Sequence, residues 1–110
     1  MAYDEGLAEL MRGDLAERDD IREQRMFGGL CFLWRGHMLC GVHRGGGMYR
    51  VGKAAMAQAL ALPGVAPMAF TGRPMGGLVE VDDAAMAADD TRAALLGLAT
   101  AFTGALPAKG

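Results

Sequence analysis

The sequence predicts an α+β domain in which helices lie on a mainly antiparallel sheet of five strands, as a two-layer fold. Three observations carry this expectation. Between Gln24 and Val51 short apolar runs are broken by glycines and show no helical period. Amphipathic helical patterns stand near both ends of the chain. Strand-like segments come in runs instead of alternating strictly with helices, which gives the order α-β-β-β-α-β-β-α and disfavours a parallel sheet.

Each element has its own local reason. Asp4 is placed to cap a first helix in which Leu7, Leu10, Met11 and Leu15 recur at helical spacing. Three strands follow, roughly Gln24 to Trp34, His37 to His43 and Met48 to Val51, and segments this close in sequence must pair antiparallel. Arg35-Gly36 is read as a two-residue hairpin loop, and Gly45-Gly46-Gly47 as a flexible reversal. A second helix is expected from about Lys53 to Leu62, stopped by Pro63-Gly64. Strands at about Pro67 to Thr71 and Leu78 to Val81 form the next hairpin, with Gly72-Arg73-Pro74-Met75-Gly76-Gly77 supplying the turn. Asp89 or Asp90 is expected to cap the last helix, whose stripe is Leu95, Leu98, Ala99, Phe102 and Leu106, and Pro107 closes it.

The 110 residues read as one domain, residues 1–110, large enough for a single core that oligomerisation would help to complete. No apolar run is long enough to cross a bilayer and the acidic N-terminus lacks a signal-peptide pattern, so a cytoplasmic protein is expected. Two cysteines there are expected to be reduced thiols. The net charge of -2 argues against a generic polyanion binder. The segment from Arg18 to Arg73 is nevertheless basic, with Arg18, Arg22, Arg25, Arg35, Arg44, Arg50, Lys53 and Arg73 against Asp19, Asp20 and Glu23.

The hairpin of the first two strands carries the sharpest expectation about surfaces. With a two-residue loop, Trp34 lies opposite His37 and Cys31 opposite Cys40. One face then holds Cys31, Leu33, Met38, Cys40 and Val42, and the other Leu30, Phe32, Trp34, His37 and Leu39. Both are apolar, so both need covering. Phe32, Trp34 and Leu39 are therefore the candidate interface, with His37 at its rim and the core under the helices as the alternative place for them. The same alternation separates the cysteines from His37 and His43, so no tetrahedral metal set is expected and no cofactor is implied.

Other motifs point away from catalysis. Gly47-Met48-Tyr49-Arg50-Val51-Gly52-Lys53 has the skeleton of a phosphate loop, but its interior is strand-forming and Ala54 replaces the hydroxyl that would hold magnesium. The chain has no serine, and its acidic pairs sit where helix caps and turns want them. No catalytic, cofactor-binding or metal-ligating residue is assigned, and a non-enzymatic protein is expected.

Four blocks in order, Arg25-Met26-Phe27-Gly28-Gly29, Gly36-His37-Met38, Met48-Tyr49-Arg50-Val51-Gly52 and Pro67 to Met75 including Gly72, Arg73 and Pro74, resemble the N-terminal domain of the TfoX (Sxy) family. The resemblance covers almost the whole chain. It implies a fold like the type III secretion chaperones, with an antiparallel five-stranded sheet. It also implies a bacterial protein related to regulators of DNA-uptake competence that act with a cyclic-AMP receptor type activator, here as a stand-alone N-terminal module.

The expected function is a small regulatory, protein-interaction module, acting as a homodimer or on a transcription regulator. Direct binding of nucleic acid or another anion through Arg25, Arg35, Arg44, Arg50 and Arg73 is the second reading, and the lack of aromatic residues among the arginines counts against it. One or more of Arg25, Arg50 and Arg73, and Arg73 above all, is expected to fix local structure through carboxylate or carbonyl contacts.

Overall fold

The computed structural model describes residues 3–26, 28–70 and 73–107, and for residues 70 and 73–75 the backbone alone. It is an α+β fold with one open antiparallel sheet and helices packed on it. The elements are α1 (Glu5–Asp14), β1 (Ile21–Met26), β2 (Gly29–Trp34), β3 (His37–His43), β4 (Gly46–Arg50), α2 (Met56–Leu60), β5 (Val65–Phe70), β6 (Arg73–Val81), α3 (Asp83–Met86) and α4 (Asp89–Gly104). A 3₁₀ turn, Lys53–Ala55, leads into α2. The sheet order is β1-β2-β3-β4-β6-β5, so β1 and β5 are its edges.

The sheet has six strands and not five, because the expected first strand is two. Gly28 has φ 70, and the chain reverses there, so that β1 pairs back on β2 from Ile21↔Trp34 to Met26↔Gly29. The β2–β3 turn is the expected Arg35-Gly36 pair. Both residues have positive φ, 56 and 86, as a two-residue turn matching the strand twist requires.

Register breaks once in the central hairpin. Trp34 faces His37 and Leu33 faces Met38, but Phe32 faces Cys40, leaving Leu39 as an extra residue on β3. The alternation expected from the turn puts both cysteines on one face. This bulge separates them: Cys31 faces Gly41 and packs with Met38, Met48, Met68 and Leu78, whereas Cys40 joins Leu30, Phe32 and Val42 under the helices.

Two cores result. The larger lies between sheet and helices and joins Leu7, Ala8 and Met11 of α1, Met86 of α3, and Leu95 and Ala99 of α4 to Phe32, Leu39, Val42, Tyr49, Val79 and Val81. Close approach of α3 depends on Gly47, where a Cβ would stand 2.4 Å from the Met86 sulfur. The smaller core, on the opposite face, is Cys31, Met38, Met48, Met68 and Leu78, with Met26 and Leu33 packed against it.

The caps follow sequence in part. Asp4 accepts from the backbone amides of Gly6 and Leu7 at the start of α1, and Asp82 caps α3 through the amide of Ala85. α4 begins after Ala88 without a side-chain cap, contrary to the expectation for Asp89 or Asp90. The carboxylate of Asp89 is taken by Arg92. Among the described residues, no helix is long and apolar enough to cross a membrane.

Candidate interaction surface

The structure divides the expected interface residues. Phe32 and Leu39 are 1% and 0% exposed, inside the core under the helices, so they form no interface. The reason is coverage: α4 reaches across β3 and β4, and the face that carries Phe32 and Leu39 is the one under the helices. Trp34 is half-buried at the end of β2, with the Arg18 guanidinium 5.0 Å and that of Arg35 5.9 Å from its ring. His37 is buried, and its Nε2 lies 2.5 Å from the Pro107 carbonyl. A carbonyl only accepts, so Nε2 carries the proton and donates. His37 thus ties the segment after α4 to the sheet and is no rim residue.

The residues of the short motifs are dispersed. Arg25 is exposed on β1, where it lines a shallow cleft of about 320 Å³ with Tyr3, Met26, Gly28 and Gly29. Arg50 stacks on Phe102 of α4, 5.3 Å from its ring, beside a cleft of about 370 Å³ that also takes in Gly52, Lys53, Gly76 and Gly77. Gly47 to Arg50 of the phosphate-loop skeleton are a strand paired with β6. Phe27 and Gly72 lie outside the described residues. Arg73 and Pro74 are the first residues of β6, with Arg73 opposite Phe70, and their side chains are outside the description.

The arginine that clamps structure through carboxylate and carbonyl contacts is Arg92, which sequence reasoning missed. Its side chain is 6% exposed. Nε donates to Asp14 Oδ2 at 2.8 Å, Nη2 to Asp89 Oδ1 at 2.7 Å and Nη1 to the Met86 carbonyl at 2.9 Å. It joins the end of α1, the end of α3 and the start of α4. Its signal was its place: Arg92 stands one turn before Leu95, Ala99 and Thr103 on the buried stripe of α4.

The open ground is at β1. Arg22, Glu23, Gln24 and Arg25 are exposed and alternate in direction. Glu23 points to the helix side, where Arg12 of α1 donates to both its oxygens at 2.7 and 2.9 Å. That hydrogen-bonded guanidinium holds the Glu23 carboxyl below the usual glutamate range. Arg22, Gln24 and Met26 point the other way. Beside them runs a cleft of about 640 Å³ whose apolar lining is Met26 and Leu33, and whose polar lining comes from Asp20, Arg22, Glu23 and Gln24. Both Met26 and Leu33 are half-buried and rest on the methionine core.

The thiols are inert by environment. Burial pushes Cys31 up to about 12, and Cys40, fully enclosed, is also raised by burial. A thiol held protonated is a poor nucleophile.

Residues 14–103 match the family model for the TfoX N-terminal domain. The chain belongs to that family. No curated protein and no solved structure matches it. The match takes in every strand and the greater part of α4, so the β1 edge and its cleft are part of the TfoX N-terminal unit in this chain.

Proposed function

We propose that this TfoX-like domain is a non-enzymatic regulatory module that works by binding protein, and that its docking surface is the β1 edge with the cleft beside it. The observation that carries this reading is the cleft itself: an apolar floor of Met26 and Leu33, a charged rim, and a strand edge that has no neighbouring strand among the described residues. An edge of this kind adds main-chain hydrogen bonds to an incoming extended segment, and a floor of adaptable side chains accepts its alternate residues. The resemblance to competence regulators makes a bacterial transcription activator the fitting partner class.

Binding of nucleic acid is less well supported by the placement of the arginines. By the strand register, Arg35 and Arg50 lie toward one end of the sheet and Arg25 and Arg44 toward the other, so they form no continuous basic stripe.

The test is affinity capture from the host with the wild-type protein, Leu33→Arg and Arg22→Glu. A transcription regulator captured by the wild type and lost from both variants, with melting temperatures retained, supports the reading. Equal capture by the variants contradicts it. Tight binding of short duplex DNA that falls steeply with salt would replace it with the nucleic-acid reading.

A further inference from the structure

We infer that the occupant of the β1 edge is β1 of a second copy, in a twofold antiparallel pairing centred on Gln24. This deepens the reading above and rests on it. The second β1 is then the extended segment that takes the main-chain hydrogen bonds of the edge, the paired molecules carry one continuous sheet, and the heterologous partner is left the two Met26–Leu33 clefts, side by side on one face.

The two edges of the sheet differ in backbone chemistry. β5 is blunted: Pro67 removes an amide donor, and the register with β6 slips between Pro67 and Ala69. β1 has neither device. Its six residues keep a regular register with β2 from end to end, so its outer side presents evenly spaced donors and acceptors. Charged side chains on an edge often serve to repel other strands, so the choice turns on whether these charges repel a second copy.

Parity answers that. In any strand, residues whose amide and carbonyl point outward alternate with residues whose groups point inward. Two identical edges must match outward residues to outward residues, so paired residue numbers add to an even total and the twofold axis passes through a residue and its own copy. The axis at Glu23 sets Glu23 against Glu23, and at Arg22 or Arg25 it sets arginine against arginine. At Gln24 it sets an amide against an amide and places Glu23 opposite Arg25 of the other copy twice over. Only this one of the four central registers joins opposite charges and opposes no like pair. It also lays Arg22 against Met26 of the other copy, where the arginine stem extends the apolar floor of the cleft.

Glu23 is already fixed by Arg12, so its carboxylate meets the second Arg25 without a further ordering cost on its own side. The alternating direction of the strand keeps Glu23 and Arg25 together on the helix side, away from the cleft floor.

The experiment combines cross-linking with sedimentation. In this register Gln24→Cys brings two thiols onto the axis, with Cα atoms about 4.5–5.5 Å apart, within disulfide reach. Arg22→Cys serves as the control, since its two copies are about 13 Å apart along the strands. Cys31 and Cys40 stay silent because both are buried. Expected results are rapid covalent dimer from Gln24→Cys in oxidised glutathione and little from Arg22→Cys. Sedimentation equilibrium should show a dimer for the wild type, roughly tenfold weaker association for Arg25→Glu, and near-wild-type association for Arg25→Lys, which keeps the charge opposite Glu23. A wild-type monomer throughout the micromolar range, equal cross-linking by the two cysteine variants, or association undiminished in Arg25→Glu would overturn the pairing. A monomer that still captures a regulator through Leu33 overturns this inference alone. A dimer that captures none overturns the functional reading and leaves the pairing standing.

Discussion

The two faces of the sheet solve the same problem with different materials. The helix face is sealed by Phe32, Leu39, Tyr49 and Leu95, which are fully enclosed, and is clasped at its margin by Arg92. The opposite face is filled by Cys31, Met38, Met48, Met68 and Leu78, and its core thins toward β1, where Met26 and Leu33 remain half-exposed. Branched and aromatic side chains in fixed rotamers specify one packing, whereas methionine adapts to what lies beside it. Met11 and Met86 are enclosed on the helix face as well, so what separates the faces is closure: the first is sealed throughout and the second opens at β1.

Substitutions should separate the two. Phe32→Ala is expected to cost about 3–5 kcal/mol, as a large side chain removed from a sealed core, read from denaturant unfolding. Leu33→Ala, one residue away on the other face, should cost no more than about 1 kcal/mol, since its site is open to water on one side. Equal losses would dissolve the distinction between the faces.

Alkali sharpens it further, because the bulge put one thiol on each face. Both thiols have folded pKa values above the ordinary value of about 8.5. Above that value the unfolded chain gives up thiol protons that the folded chain keeps, so unfolding becomes easier as pH rises. The two thiols together should cost about 2 kcal/mol between pH 8.5 and 9.5, and the loss continues toward pH 12 for Cys31. Between pH 8.5 and 9.5, below the range where the buried Tyr49 phenol adds a slope of the same sign, Cys31→Ala and Cys40→Ala should each remove roughly half of the slope in a series of unfolding curves. A slope unchanged in the double variant would contradict the assignment.

Arg92→Ala tests the clasp. Asp14 keeps part of its surface in water and Asp89 most of its own, so the loss comes mainly from the Asp14 and Met86 contacts and is expected at about 2 kcal/mol. A thermal melt measures it. No shift would mean that α1, α3 and α4 hold together by apolar packing alone.

Much of this fold is legible in the sequence, for reasons that also explain the failures. Arg35-Gly36 announces a tight turn and Asp4 sits at a helix start, whereas the short α3 after Asp82 is unexpected, its four residues being too few to show a helical period. β1 is illegible as a separate strand because an exposed edge needs no apolar alternation, so Ile21 to Arg25 carries no period-two signal. The bulge at Leu39 is hidden because Met38-Leu39-Cys40 is apolar throughout, and a slip of one residue leaves such a run looking the same. That single slip moved Cys40 to the helix side. Arg92 was passed over because a charged residue on an apolar stripe reads as surface until its carboxylates are found in space. For the candidate site, the basic motifs led to dispersed arginines, while the cleft appeared only once Met26 and Leu33 were brought side by side.

The central claim is that β1 is the edge at which this domain meets another chain, and amide hydrogen exchange tests it at the bonds concerned. Spectra taken at high and low protein concentration should show alternate amides between Arg22 and Met26 protected in the concentrated sample and exchanging freely on dilution, while the outward amides of β5 exchange freely in both. Fast exchange along β1 at every concentration, or protection gained at β5 instead, would contradict the account.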